Sequence, residues 1–230
     1  MTEPILDLVA FDLTGTTVKD NGAMEAALSG ALTHNGVPFQ QADLRAMRGG
    51  GKKAAFQLLV ERQGRAGQAA EDTSKAVVRL YADFKELLRK GYSEGPVEEV
   101  PGSRRAILSL KELGIKVAAT TALDVDVREI VLARLGWDQG LFDGVVSTDE
   151  VPRGRPAPYM VFRAMMECGV SDVRRVAVVG DTPLDLQSGA NAGAGWIVGV
   201  LCGVYGVAEL GATYHTHLLG SPADLPSLLR

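Results

Sequence analysis

Five short apolar runs constrain this chain more than any other feature. They are ILDLVAFD (Ile5–Asp12), KVAATTA (Lys116–Ala122), FDGVVS (Phe142–Ser147), RVAVVGD (Arg175–Asp181) and WIVGVL (Trp196–Leu201). A strand with one wet face alternates apolar and polar residues, whereas a continuous apolar run has to be covered on both faces. Between Lys116 and Leu201 the runs are separated by helical patterns such as VREIVLARLG and PYMVFRAMMECG. That alternation specifies an α/β fold with a parallel sheet between helices.

The first run stands apart, because no comparable run follows Val18 until Lys116. The residues between read as helices: NGAMEAALSGALTHNG, QADLRAMRG, KKAAFQLLVERQG and EDTSKAVVRLYADFKELLRKG. The expectation is a helical insertion, residues 19–95, inside a core made of residues 1–18 and 96–230. SEGPVEEVPG (Ser93–Gly102), rich in Pro and Gly, is the expected return hinge.

With 230 residues the chain is long enough for such a core and its insertion. A net charge of −4 provides no basic footprint for nucleic acid and no polybasic surface for a membrane. Cys168 and Cys202 match no metal or redox spacing and read as reduced, buried thiols of a cytoplasmic protein. The first residues carry no basic segment, so they do not read as a signal peptide. The uncharged stretch Gly189–Ala208 imitates a membrane span, but its glycines and β-rich centre argue for a buried strand.

In open α/β sheets ligands bind beyond the carboxyl ends of the strands. Those ends hold Asp12, Thr120-Thr121, Arg155 in the loop after GVVS, and Asp181 in GDTPLDLQSG. Phosphoryl chemistry has a use for each. A carboxylate such as Asp12 can take a phosphoryl group and divide one displacement into two. The turn Leu13–Thr17 offers backbone N–H groups to phosphate oxygens, Thr121 offers a hydroxyl, and Arg155 offers a balancing cation. Thr182 and Pro183 suit the cap and first position of a helix, which turns Asp181 and Asp185 to one side. With Asp12 they make an all-oxygen site suited to Mg²⁺. Each residue also has a plainer reading: Asp12 as a loop cap, the two later aspartates as helix N-terminal charges, Arg155 as a surface ion pair.

In this order these residues resemble the haloacid dehalogenase superfamily of phosphohydrolases. The resemblance implies a Rossmann-like three-layer core with an inserted, all-helical C1-type cap. It implies Asp12 as nucleophile, Mg²⁺ held by Asp12, the Thr14 backbone carbonyl, Asp181 and Asp185, and phosphoryl oxygens met by Thr16, Thr121 and Ala122. Within the superfamily, Thr16-Thr17, the Ala118–Thr121 strand end and VPRGRPAPYM (Val151–Met160) resemble phosphonatase, and VVGDTPLDLQSGANAGAG (Val178–Gly195) resembles its relatives, the phosphonatase-like hydrolases. There the cation of the third motif is arginine, as here, and a cap lysine forms a Schiff base with the substrate aldehyde. The matching stretch is RGGGKKAAF, in which Gly49-x-x-Lys52 fits and Lys53 is an alternative one residue on. Two adjacent ammonium groups would depress each other's pKa, and a solvated, phosphate-steering helix start is the other reading of the pair. The sequence departs from the pattern at Ala55, where histidine is expected, and at Ala122, where glycine is. GGGKK is no P-loop, since no strand precedes it and Lys53 replaces the Ser/Thr.

The leading expectation is hydrolysis of a small phosphonate, through an aspartyl-phosphate. A phosphate-monoester phosphatase and a non-catalytic phospho-ligand-binding relative are the alternatives; a dehalogenase would leave the metal carboxylates unexplained. Thr14 bears on the choice. Two residues after the nucleophile many phosphatases carry an acid, and a hydroxyl cannot protonate an alkoxide leaving group in its place. A leaving carbon stabilised as an imine needs less of that help. The resemblance also implies a homodimer. Finally, His215 and His217 in TYHTHLL alternate as a strand would, and Tyr159, Phe162, Met165 and Met166 read as helix packing.

Overall fold

The computed structural model describes residues 5–62 and 70–229, with the side chains of 70–72 left aside. The end of the KKAAFQLLVERQG pattern, at residues 63 and 64, lies outside the described residues. The chain divides into two compact units, Met1–Asp20 with Val97–Arg230, and Asn21–Pro96.

In chain order the elements are β1 (Leu8–Phe11), α1 (Ala23–His34), α2 (Gln41–Ala46), α3 (Lys52–Arg62), α4 (Ala70–Glu94), α5 (Ser103–Glu112), β2 (Lys116–Thr121), α6 (Val125–Leu135), β3 (Gly144–Ser147), α7 (Tyr159–Cys168), β4 (Val176–Gly180), α8 (Pro183–Ala192), β5 (Trp196–Val200), α9 (Val207–Gly211) and β6 (His217–Leu219).

The larger unit carries a six-stranded sheet in the order β3-β2-β1-β4-β5-β6. Every neighbouring pair is parallel. This is the Rossmann-like α/β core. β1 and β4 are buried at every position, as strands covered on both faces must be. Leu8, Ala118, Val146, Val178 and Ile197, one from each of five strands, meet Met160, Val161 and Ala164 of α7 and Leu186 of α8. The uncharged stretch resolves into β5 and its turns, and no helix among the described residues is long and apolar enough to cross a membrane.

The smaller unit is helical. α4 packs against both α1 and α3, and Phe56 meets Phe84 edge-on with ring centroids 5.9 Å apart. Gly30 permits the approach of α1 to α4, since a Cβ there would lie 2.8 Å from Leu87 Cδ1.

Three expectations need correction. Cys168 is half-buried and Cys202 exposed, because residue 202 lies in the turn beyond β5 rather than inside it. Of the α7 side chains expected to pack, only Met165 does. Tyr159, Phe162 and Met166 are exposed, the last at 80%, because Met160, Val161, Ala164 and Met165 fill the sheet-facing side of the helical wheel. The two histidines do not share a strand face. β6 begins at His217, whose ring stacks 4.5 Å from that of Trp196, while His215 precedes the strand with Nδ1 2.7 Å from the Thr213 carbonyl.

Candidate active site

The strand order reverses beside β1: β2 and β3 extend to one side of it, β4, β5 and β6 to the other. A crevice opens at such a reversal beyond the carboxyl ends of the two central strands. Asp12 stands there directly after β1, its N–H donating to the Val179 carbonyl of β4 at 2.8 Å. Asp181 follows β4 immediately.

The turn after Asp12 satisfies itself. The Leu13 carbonyl accepts from the N–H groups of Thr16 (3.2 Å), Thr17 (2.9 Å) and Val18 (2.8 Å), and Gly15 N–H donates to the Val18 carbonyl at 2.7 Å. The amides of residues 15–17, expected to face phosphate, are therefore engaged inside the turn. The hydroxyl of Thr16 also has a partner, donating to Asp181 Oδ1 at 3.1 Å. Thr14 is half-buried and bridges to Val18. Gly15 has φ 92°, and a Cβ on it would lie 2.4 Å from Asp181 Oδ2. Gly15→Ala is expected to destabilise the fold by about 1–3 kcal/mol, because it combines left-handed strain with displacement of that carboxylate. Urea denaturation should show the loss.

Arg155 is 6% exposed, so it is not a surface ion pair. Its Nη1 donates to Asp12 Oδ1 at 2.8 Å, and its Nη2 to both the carbonyl and the hydroxyl of Thr120 at 2.9 Å. Its Nε lies 2.9 Å from Asp185 Oδ1, yet that oxygen is buried without an aligned hydrogen bond. The other oxygen of Asp185 accepts from the N–H (3.0 Å) and hydroxyl (2.6 Å) of Thr182, which caps α8. Gly180 makes room, since a Cβ there would be 2.2 Å from Asp185 Cγ.

Asp12, Asp181 and Asp185 can place one oxygen each within 4.8 Å of one another, and all three are buried. Burial, with Asp185 nearby and against the pull of Arg155, raises the Asp12 pKa to about 7. Burial, then Asp12 and Asp185, raise that of Asp181 to about 8. Burial opposes the charge on Arg155, but the carboxylates of Asp185 and Asp12 outweigh it and hold its pKa above the ordinary guanidinium value. Once ionised, three carboxylates against one guanidinium leave excess negative charge in a dry place, with Asp185 Oδ1 held by its ion pair to Arg155 and by no hydrogen bond. An all-oxygen donor set of this charge fits a hard divalent cation such as Mg²⁺.

Thr121 is buried and its hydroxyl accepts from the Leu123 N–H at 3.2 Å, which leaves its own proton to donate. Ala122 beside it is half-buried. Gly49, Lys52 and Lys53 belong to the other unit. Lys52 opens α3, is 4% exposed, and donates to the Gly50 carbonyl at 2.9 Å. It is therefore not a solvated charge. Lys53 is exposed, with its ammonium 4.6 Å above the Tyr81 ring, so the adjacent lysines have separate partners.

Two contributors have roles that the sequence reading does not assign. Thr120, one residue before the singled-out Thr121, is the one that holds Arg155. The loop after β5 lies against Asp181: Val204 N–H donates to its Oδ2 at 3.3 Å, and a Cβ on Gly203 would be 2.0 Å from that oxygen. Its signal in the sequence is the end of the fifth apolar run, WIVGVL, which leads straight into Cys202-Gly203-Val204.

Fold and centre together define a class: an α/β protein with a buried acidic centre, suited to a divalent cation, at its topological switch point. The sequence pattern of haloacid dehalogenase-like hydrolases matches residues 6–193, and the chain belongs to that family. A phosphonoacetaldehyde hydrolase from Bacillus cereus is 37% identical over 145 residues, 62% of this chain and 52% of that protein. One from Bacillus anthracis is 33% identical over 161 residues, covering 69% and 58%. The chain thus spans about half the length of these curated relatives. Among solved structures, a hydrolase from Pseudomonas syringae superposes with TM-score 0.84 at 22% identity, covering 96% of each chain. A phosphonoacetaldehyde hydrolase-like protein from Oleispira antarctica has TM-score 0.84 at 23% identity, covering 99% of this chain and 92% of that one.

Proposed function

We propose that this protein hydrolyses a small organophosphorus compound, with a phosphonate such as phosphonoacetaldehyde as the leading substrate. The observation that carries the reading is the Asp12 carboxylate, buried at the switch point and bonded to Arg155, with Thr14 where an acid would assist an ester leaving group. The matches to phosphonoacetaldehyde hydrolases support the choice of substrate.

Asp12 attacks phosphorus and forms an aspartyl-phosphate, which water then cleaves. Arg155 balances the charge of the nucleophile and the transferring group, and the Thr121 hydroxyl donates to a phosphoryl oxygen. Asp12, Asp181, Asp185 and the Thr14 carbonyl would hold Mg²⁺, which lets an anionic nucleophile approach an anionic phosphoryl group. Residues 21–96 act as a cap that excludes water and reads the organic part. Its Lys52, or Lys53, condenses with the substrate aldehyde to an imine, releasing water. When the C–P bond breaks, its electron pair passes into the imine and gives an enamine, which is protonated and hydrolysed. This takes over the task that an acid at position 14 would perform for an ester.

Phosphate release from a panel of phosphonates and phosphate esters tests the reaction, and cyanoborohydride trapping tests the imine. Phosphonoacetaldehyde should be cleaved and should leave a reduced adduct on wild type that Lys52→Ala lacks. An adduct surviving in Lys52→Ala but lost in Lys53→Ala moves the role one residue on; none in wild type ends the Schiff-base route. Turnover of esters alone makes this a phosphatase. No turnover of any compound makes it a binding protein.

A further inference from the structure

Helix α8 carries Asp185, and the same helix also holds the loop of Arg155. Asp185, Ser188 and Asn191 recur every three residues, so they lie along one side of the helix. Each meets a different member of the tripeptide Arg155-Pro156-Ala157. Asp185 Oδ1 is 2.9 Å from Arg155 Nε. Asn191 Nδ2 donates to the Pro156 carbonyl at 2.8 Å, and Ser188 Oγ donates to the Ala157 carbonyl at 3.1 Å. Asparagine and serine are poor choices for a helix interior on propensity alone, and here both side chains are used on a neighbouring backbone.

We propose that Ser188 and Asn191 are positioning residues that fix Arg155 against the nucleophile. Arginine is a long side chain whose planar fork is useful only when aligned. Here the fork has to meet Asp12 and both oxygens of Thr120 at once. Its backbone sits in a loop whose upstream anchor is Glu150, bonded by Arg128 at 2.7 Å and followed by four intervening residues before Arg155. The two α8 contacts fall on the residues immediately after it. They tie the guanidinium to the helix that carries Asp185, so cation and carboxylates keep one geometry. The inference rests on the proposed role of Arg155 as the balancing charge.

The test pairs kinetics with a signal that needs no turnover. In magnesium-containing buffer, Ser188→Ala with Asn191→Ala should lower kcat about ten-fold, the scale expected when a reacting group is misplaced by a fraction of an ångström. KM should change less than kcat, and Ser188→Thr should restore part of the loss. In an Arg155→Lys background the same pair should add less than about two-fold, because residues acting through one another are not additive. The Arg155 Nε–H resonance, identified by its absence from Arg155→Lys, should shift or broaden in the double variant while sheet amides stay in place. An unchanged resonance overturns the proposal, as does an equal loss of kcat in the Arg155→Lys background. A wild type without activity would defeat the proposed function, and the resonance would still decide this point.

Discussion

Asp12→Asn is expected to abolish phosphate release and, in the presence of a chelator, to stabilise the protein at alkaline pH. The first effect follows from its proposed role as nucleophile: a carboxamide does not form an aspartyl-phosphate, and losing a nucleophile costs at least about 10³-fold. The second follows from burial. Asp12 titrates near 7 and Asp181 near 8 in the folded chain, raised from 3.8. A raised carboxyl pKa means that the folded state holds protons the unfolded state has lost. Stability is therefore fully present below the unfolded pKa near 3.8 and is lost as pH rises through about 7 and then about 8. Chelated wild type should be less stable at pH 8 than at pH 5 by on the order of a few kcal/mol. The variant should lose less over the same interval, and magnesium should stabilise wild type more than the variant. Urea titrations at the two pH values, with chelator or magnesium, measure all of this. A flat profile in chelator would mean that the carboxylates are not in the electrostatic conflict their burial implies.

Arg155→Gln should produce the second large loss, and for a different reason. Glutamine keeps an uncharged polar group but is too short to replace the fork and removes the buried cation, leaving Asp12, Asp181 and Asp185 facing one another. Breaking a buried ion pair from one side costs about 3–5 kcal/mol. Loss of a charge that stabilises the transferring group costs about 10²–10³-fold in rate. Without the guanidinium, the Asp12 pKa should rise further, moving the ascending limb of the pH–rate profile upwards. Magnesium should recover stability more than rate, since it screens the carboxylates without replacing the fork on Asp12 and Thr120. A variant with wild-type kcat would remove Arg155 from the reaction.

Most of the core was readable because its signals are local. Each of the five apolar runs contains a strand, from β1 in Ile5–Asp12 to β5 in Trp196–Leu201. A strand covered on both faces is apolar throughout, and that shows without reference to any neighbour. GDTPLD announced a capped helix start for the same reason: Thr182, Pro183 and Asp185 act within one turn. The readings that failed depended on what lies opposite. Tyr159, Phe162 and Met166 are as apolar as core residues and yet face outward. Of the amides expected to face phosphate after Asp12, those of residues 15–17 bond within a turn whose hydrogen bonds its residue types do not reveal.

The sequence by itself determined the strands, the helical insertion, and the side chains available at each strand end. Only the tertiary structure decided which ends are neighbours. β1 pairs with β4 rather than β3, which puts Asp12 beside Asp181 and lets Thr16 bond an aspartate 165 residues away, while the pairing of β2 with β3 brings Arg155 to Thr120. Packing likewise brings the Gly203–Val204 loop onto Asp181 and the tripeptide after Gly154 onto α8. The physical reason is that hydrophobic period and capping are properties of a segment alone, whereas strand order and loop contacts are set by how segments pack together.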